Sequence, residues 1–129
     1  ENAVEGIFQT TPDGRFISIN PALAIMMGFD FPEHMMKTFT DIAKHHYLNP
    51  SERMKYRRLL ESNGFIKGFE TQVYKKNGDK IWISISSRAI YDKNGAIDHY
   101  EGTVIDITSR KDAETSSENA EIIIFYQRY

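Results

Sequence analysis

Two Asn-Gly turns divide the last third of this 129-residue chain into three runs with the composition of β-strands. The turns are centred on Asn77-Gly78 and Asn94-Gly95. Asn-Gly between alternating runs is the strongest short-range signal for a β-hairpin, because both residues tolerate positive φ. The sequence therefore predicts three antiparallel strands joined by tight turns.

The run between the two turns has the two-residue period of a pleated strand. Isoleucine occupies positions 81, 83 and 85, while Trp82, Ser84 and Ser86 lie between them. An antiparallel sheet with one face on the core and the other toward water or a partner has this pattern. Trp82 is thus predicted on the outer face of the sheet, where an exposed aromatic ring is an interface candidate. The alternative is that Trp82 packs against a preceding N-terminal helix.

The first half of the chain begins with a predicted hairpin and a helix. Residues 6–11 and 15–20 are suited to strands and flank a Pro-Asp-Gly turn signal. Asn20 can accept a hydrogen bond from a first-turn amide, and Pro21, which has no amide proton to lose, suits the first helical position. Gly28 is predicted to end this helix.

Further helices are predicted between this hairpin and the final strands. Asp30 and Glu33 have the spacing of a capping box that starts a short helix, and another short turn is expected over residues 40–46. A longer helix is predicted over residues 50–63, with its basic residues, Arg53 among them, mostly outside its apolar face. Two strands, a cluster of helices and three more strands predict an α+β fold with an antiparallel sheet.

Composition excludes several classes of function. The net charge of -2 leaves no basic stripe for phosphate groups, so nucleic-acid binding is not expected. No apolar run approaches the roughly 20 residues that span a bilayer, and we expect a cytoplasmic location without direct membrane insertion. The chain has no cysteine, which excludes disulfides and thiolate metal sites. Because no nucleophile context or metal-ligand spacing is present, the sequence predicts neither catalytic residues nor a metal site.

The order and spacing of these signals resemble the PAS domain family from Glu1 to about Glu114. The resemblance rests on Gly6-Ile7-Phe8-Gln9-Thr10-Thr11, Asp13-Gly14, Ile17, Asn20-Pro21-Ala22-Leu23 and Met27-Gly28-Phe29, and on Lys75-Lys76-Asn77-Gly78, Trp82, Asp92, Gly95, Gly102 and Asp106-Ile107-Thr108-Ser109-Arg110-Lys111. It implies the PAS fold, a five-stranded antiparallel sheet with a cluster of short helices and one longer helix on one face. Residues 1–114 would form a sensory domain, and residues 115–129 a C-terminal tail or linker.

The resemblance also implies a role in signal transduction. We expect the sensory input domain of a larger, bacterial-type signalling protein, such as one of a two-component system. A histidine kinase or a cyclic-dinucleotide enzyme is the expected output domain in the same chain, while the domain itself is not expected to be an enzyme. Family members often pair through the sheet face or flanking helices, so a homodimer is expected. The tail departs from the family, and it is either a disordered end or a strand that pairs with a sheet edge.

Flavin is not expected in this chain. Flavin-binding LOV members of the family use a cysteine near the position of Thr40, and this chain has none. The amide side chains that hold the flavin ring in those members align with Val73, Ile83 and Val104, which are apolar here. Each polar group of the ring left unpaired against them would cost about 1 to 3 kcal/mol.

Haem is not expected either, although one alternative stays open. Haem-binding members of the family place an axial histidine on the long helix and, in oxygen sensors, an arginine at the start of the next strand. Residues 50–62 contain no histidine, and the arginine position aligns near Phe69. A shifted ligand from His45 or His46 would give a haem-based gas or redox sensor, but adjacent histidines in a loop are more commonly solvated.

The inner face of the sheet is the predicted ligand pocket. Its candidate residues are Phe69, Thr71, Val73, Ile83, Ile85, Ser87 and Val104, and the face is completed by Gly102, Ile7, Phe16 and Met26 or Met27. Two interpretations remain open. The face forms a pocket for a small or apolar ligand, or it is a filled core in a ligand-free module for protein interaction and dimerisation; packing is the commoner use of such a pattern.

Asp106, Ile107 and Thr108 are the predicted relay to the output domain. The family has this motif where the last strand leaves the core and enters a linker helix. Thr108 or Ser109 suits the N-cap, and Asp112 follows near the start of the helix, where the dipole favours an acidic side chain. A shift of the strand would then move the start of the helix; the alternative is that these residues only end the strand.

Overall fold

The computed structural model describes residues 4–115. Its strands are β1 (Gly6–Thr10), β2 (Phe16–Ile19), β3 (Phe65–Tyr74), β4 (Lys80–Tyr91) and β5 (Ile97–Asp106). Its helices are α1 (Pro21–Met26), α2 (Pro32–Thr38) and α3 (Pro50–Asn63), with a π-helical turn at Ile42–His46 between the last two. Residues 108–115 form a further helix directly after β5, the exit helix. Apart from residue 115, the predicted tail lies outside the described residues.

The five strands form one antiparallel sheet in the order β2-β1-β5-β4-β3. Strand β5 lies in the middle and pairs with β1 on one side and with β4 on the other. The two Asn-Gly turns join neighbouring strands, and their glycines, Gly78 and Gly95, have φ of 89° and 83°. The predicted α+β fold with a five-stranded antiparallel sheet is confirmed.

The helices cover one face of this sheet and enclose a single core. Helical residues that contribute to it are Leu23, Met27, Met35, Ile42, Tyr56 and Leu60, and strand residues are Phe8, Val73, Ile83, Ile85, Tyr100 and Val104. Phe16 and Met26 are partly buried against this cluster. Full burial of an aliphatic or aromatic side chain contributes about 1.5–3 kcal/mol, so this layer is the main source of stability.

Two of the helix ends follow their sequence signals closely. The Asn20 side chain accepts a hydrogen bond from the Leu23 amide at 3.0 Å and another from the Ile7 amide at 2.9 Å. This one side chain therefore caps α1 and also fastens it to β1. At the other helix, Gly64 follows α3 in the left-handed conformation with φ of 81°.

Helix α2 begins differently from the prediction. The capping box predicted at Asp30 and Glu33 is wrong, because the N-cap position is occupied by Phe31, which makes no side-chain hydrogen bond there. Pro32 is the first helical residue, and its fixed φ sets the start of the helix. Among residues 4–115, no helix is long and apolar enough to cross a membrane.

The side chains of β1 that face the core are not those that the sequence predicts. Ile7 is 53% exposed, whereas Phe8 is buried together with Gly6 and Thr10. The prediction of Ile7 on the inner face is therefore wrong. The pairing of Phe8 with Gly102 of β5 fixes this register, and a slip by one residue would reverse every side chain of the strand.

Gly102 allows β4 and β5 to approach each other closely at the centre of the sheet. A Cβ atom at this position would lie 2.2 Å from the carbonyl oxygen of Ser86 and 2.8 Å from the Cα atom of Ser87. No side chain can be accommodated there unless the strands move apart.

Candidate functional site

The seven predicted pocket residues all lie buried on the inner face of the sheet. They are Phe69, Thr71 and Val73 of β3, Ile83, Ile85 and Ser87 of β4, and Val104 of β5. Cross-strand pairing brings Ile85 opposite both Phe69 and Val104. Only Ile83, Ile85 and Val104 border the internal cavity, while the other four are buried elsewhere in the core. Their role in ligand binding stays a prediction.

The internal cavity has a volume of about 30 Å³ and lies between the sheet and α3. Its wall is formed by Phe8, Thr10, Phe16, Leu23, Ile42, His46, Tyr47, Arg53, Tyr56, Ile83, Ile85 and Val104. A volume of this size holds one or two water-sized groups, whereas pockets for drug-sized ligands measure roughly 300–1,000 Å³. The polar side chains of this wall are Thr10 on β1, His46 and Tyr47 at the end of the π-helical turn, and Arg53 and Tyr56 on α3; the others are apolar.

Arg53 supplies the charge in this wall and was missed by the sequence analysis. The residue is 5% exposed, its guanidinium Nη2 donates to the Thr11 carbonyl oxygen at 3.4 Å, and its Cζ lies 5.0 Å from the centre of the Tyr56 ring. The prediction that Arg53 lies outside the apolar face of α3 is wrong. The available signal was its position three residues before Tyr56, which places both side chains on one face of the helix.

His46 is buried in the wall of the cavity, while its neighbour His45 is exposed. The expectation that both histidines are solvated is thus wrong for His46. Its Nδ1 lies 3.2 Å from the carbonyl oxygen of Tyr74, so Nδ1 carries the proton and donates, and its ring stacks on Phe39 at 4.8 Å. Burial lowers the pKa of His46 to about 4, and the charge of Arg53 adds to this effect against the opposing hydrogen bond.

Tyr56 connects α3 to the two central strands of the sheet. Its hydroxyl donates to Ser87 Oγ at 2.8 Å, and Ser87 Oγ in turn donates to the carbonyl oxygen of Glu101 at 3.2 Å. Burial raises the pKa of Tyr56, which therefore stays protonated at neutral pH. The hydrogen bonds hold the inner faces of β4 and β5 at a fixed distance from α3.

The predicted relay residues fasten the end of β5 to β4. The Ile107 amide donates to the Trp82 carbonyl oxygen at 2.9 Å, and the Trp82 amide donates to Thr108 Oγ1 at 3.0 Å. The sequence predicts Thr108 or Ser109 as the N-cap, but the Asp106 carboxylate accepts from the Thr108 amide at 2.9 Å while the Thr108 hydroxyl faces β4. The backbone of Trp82 thus holds the start of the exit helix.

A cluster of charges fastens the exit helix to β3. The Glu70 carboxylate accepts hydrogen bonds from Lys111 Nζ at 2.7 Å and from Arg110. These bonds, that of Lys111 first, lower the pKa of Glu70, with the two positive charges adding to the effect. Lys111 Nζ also lies 4.9 Å from the centre of the Trp82 ring. Trp82 is on the outer face as predicted, and the exit helix covers part of its ring.

This architecture is that of a sensory domain, and comparison with known proteins shows the family. The sequence model described as "PAS domain" matches residues 4–109, and the chain belongs to this family. PAS domains are sensory domains of histidine kinases and other signalling proteins. Residues 4–109 therefore form a sensory domain of this kind.

Individual relatives point in the same direction. Sporulation kinase C of Bacillus subtilis (strain 168) is 29% identical over 115 residues, which are 88% of this chain and 26% of the kinase. Among solved structures, a sensory box histidine kinase/response regulator from Burkholderia thailandensis E264 has a TM-score of 0.69 at 20% identity, covering 95% of this chain and 91% of that chain. The N-terminal domain of a diguanylate cyclase with PAS/PAC sensor from Marinobacter aquaeolei has a TM-score of 0.64 at 13% identity, covering 84% and 99%. The chain thus spans about a quarter of the length of this kinase.

Proposed function

We propose that this domain is the sensory input of a larger signalling protein and passes a change in its core to an output domain through Asp106, Ile107 and Thr108. The observation that carries the proposal is the double attachment of the exit helix. Thr108 is bonded to the Trp82 backbone on β4, and Glu70 on β3 holds Arg110 and Lys111. The relation to a kinase of which the chain spans 26% supports an output domain in the same polypeptide.

The path from the cavity to the exit helix is short. Ile83 borders the cavity and pairs across the strands with Asp106, the first of the relay residues. The next residue along β4 is Trp82, whose amide and carbonyl groups both bond the exit. We expect a ligand that displaces Ile83 to shift the adjoining backbone of Trp82, and with it the hydrogen bonds to Ile107 and Thr108. Two adjacent residues of β4, Ile83 and Trp82, thus link the cavity to the exit helix.

The relay can be tested in a chimera in which this chain replaces the matched region of sporulation kinase C. Glu70→Gln removes the charge that holds the exit helix, and Thr108→Val removes the hydroxyl that accepts from Trp82. We expect both to change the autokinase rate by at least about fivefold, the lower end of typical allosteric coupling. The matched control is Glu61→Gln, which breaks an ion pair with Arg57 on α3 far from the exit. Equal rates for all three variants and the wild type would refute the relay.

A second candidate function is a module for protein interaction, and one observation favours it. The outer face of the sheet has a groove of about 660 Å³ bordered by Ile7 and Phe65, which are 53% and 61% exposed. Apolar side chains exposed beside a groove commonly mark an interface, and the partner proposed is a second copy of this chain. The predicted interface role of Trp82 fits the same face.

Sedimentation equilibrium tests this interaction directly. We expect a homodimer that Phe65→Ser converts to a monomer, because the substitution removes a large exposed ring from the groove. Phe31→Ser is the matched control, since Phe31 is 52% exposed on the helical side of the domain. A dimer that loses affinity equally with both substitutions would argue against the sheet face.

Flavin and haem are not part of the proposal. The absence of cysteine leaves no residue for a flavin adduct, and α3 contains no histidine for an axial haem bond. A cytoplasmic location stays a prediction of the sequence. Catalysis is assigned to the output domain, as in the kinase relative, and not to the residues of this domain.

A further inference from the structure

The cavity beneath the sheet contains a buried positive charge without a negative partner. Arg53 is 5% exposed, and within residues 4–115 no carboxylate oxygen lies within 4 Å of its guanidinium nitrogens. Its hydrogen bond to the Thr11 carbonyl oxygen, at 3.4 Å, is a long one. The other groups around the guanidinium, the Tyr47 hydroxyl and the Tyr56 ring, are also neutral. A buried ion without a counter-ion costs several kcal/mol even after relaxation of the surroundings, so an anion beside Arg53 would stabilise the fold.

A second polar group without a partner belongs to the same wall. Thr10, on β1, lines the cavity and is 1% exposed, and its Oγ1 has no hydrogen-bond partner among the described residues. A buried hydroxyl without a partner costs about 1–3 kcal/mol. Thr10 lies on β1 and Arg53 on α3, and both residues border the cavity. Both can donate hydrogen bonds.

The charge of the wall and the volume of the cavity determine which group could bind there. Arg53 is the only residue in the wall with a formal charge at neutral pH, because His46 and the two tyrosines are neutral there. A single negative charge would balance it. The volume of about 30 Å³ admits a group the size of one or two water molecules and excludes larger carboxylates or phosphates.

We propose that the cavity binds a small monovalent anion, of the size of chloride, bromide or formate, between the Arg53 guanidinium and the Thr10 hydroxyl. The anion accepts hydrogen bonds from both groups, and charge-assisted bonds of this kind are about twice as strong as neutral ones. Arg53 also stands in the first turn of a 14-residue helix, where the dipole favours negative charge. The inference rests on the proposed function in one respect, since it names the ligand class that the sensory cavity would take.

Bromide is the probe for the first experiment, because it can be located by anomalous scattering in a crystal of the wild-type chain. We expect an anomalous peak within hydrogen-bond distance of Arg53 and Thr10. In solution, thermal unfolding is followed as bromide replaces gluconate at constant ionic strength, since gluconate is too large for the cavity. Binding to the folded state raises the Tm with bromide concentration.

Three substitutions test whether bromide raises the Tm by binding at Arg53 and Thr10. In Arg53→Met the rise in Tm with bromide should be lost, because the apparent affinity for bromide falls at least about tenfold. This is the loss expected when a charge-assisted hydrogen bond is removed. Arg57→Met, one turn further along α3 and paired with Glu61 outside the cavity, should keep the rise in Tm. Thr10→Val should raise the Tm in gluconate, because it removes the unpaired hydroxyl, and should reduce the effect of bromide. Thr10→Val keeps the test valid even if Arg53→Met fails to fold.

The inference is overturned if the cavity shows no anomalous peak and the bromide response is the same in the wild type and Thr10→Val. The cavity would then hold water only. This outcome is separate from failure of the relay: Glu70→Gln and Thr108→Val would still alter the kinase chimera if the relay holds without an anion. Conversely, bromide bound at Arg53 with no effect of those two variants would keep the anion site and reject the relay.

Discussion

Replacing Gly102 by alanine should destabilise the domain far more than an alanine at a glycine in an open turn. The new Cβ would lie 2.2 Å from the carbonyl oxygen of Ser86. Favourable contacts between heavy atoms require about 3.5 Å, so β4 and β5 would have to separate by about 1 Å. Both strands are central in the sheet, and neither can move without disturbing its other neighbour.

The expected loss follows from two contributions. Overpacking in a closely packed interior costs about 1–3 kcal/mol. Separating the strands also weakens at least one ladder hydrogen bond, which contributes about 0.5–1.5 kcal/mol. The free energy of unfolding should therefore fall by about 2–4 kcal/mol, which lowers the Tm of a domain of this size by roughly 10 to 25 °C.

Urea unfolding followed by the fluorescence of Trp82, the only tryptophan, measures this loss. The control is Gly95→Ala, because a Cβ atom at this position meets no atom within 4 Å. Its stability is lowered only by the backbone strain of an alanine at a φ of 83°. That strain costs about 1 kcal/mol. The reasoning is refuted if Gly102→Ala loses no more stability than Gly95→Ala, since the strands would then absorb the methyl group without cost.

Three other predictions concern the buried polar groups and the exit helix. His46 has a pKa of about 4 in the folded chain and 6.5 ordinarily, so the unfolded chain binds more protons between these values. The free energy of unfolding should therefore fall by about 3 kcal/mol as the pH drops from 6.5 to 4, and His46→Phe should flatten this part of the profile in urea titrations at several pH values. Tyr56→Phe should cost about 1 kcal/mol by the same assay, because Ser87 loses its buried donor; a variant as stable as the wild type would show that the bond contributes nothing. Glu70→Gln should speed hydrogen–deuterium exchange of residues 108–115 and leave exchange in α1 unchanged, whereas uniform acceleration would indicate general destabilisation.

Periodicity and turn chemistry were sufficient to predict the last three strands. Strand β4 extends over Lys80–Tyr91 and so includes the alternating residues 81–86 that predict it. Strand β1 shows where this signal fails, because Ile7 and Phe8 are adjacent apolar residues and either can face the core. Only the pairing of Phe8 with Gly102, a contact distant in sequence, decides between the two registers.

The polar side of the cavity could not be predicted by the same means. An arginine or a histidine in a loop or on a helix is normally solvated, and local sequence gives no reason to bury it. Arg53 is buried because the Thr11 carbonyl oxygen and the Tyr56 ring lie where its guanidinium ends. His46 is buried because the Tyr74 carbonyl oxygen, 28 residues away, accepts a hydrogen bond from its Nδ1. Such partners are brought together by tertiary structure alone.

The pairing of β1 with β5 determines how this domain can be joined to other parts of a chain. Gly6, at the start of β1, lies directly opposite Val104, near the end of β5, on adjacent antiparallel strands. Such opposed residues have Cα atoms about 5 Å apart. The polypeptide therefore enters β1 and leaves β5 at the same end of the sheet. In a longer protein or a tandem repeat, the segment before β1 and the exit helix after β5 would therefore start from the same end of the sheet, and the exit helix would carry the chain across β4 towards β3.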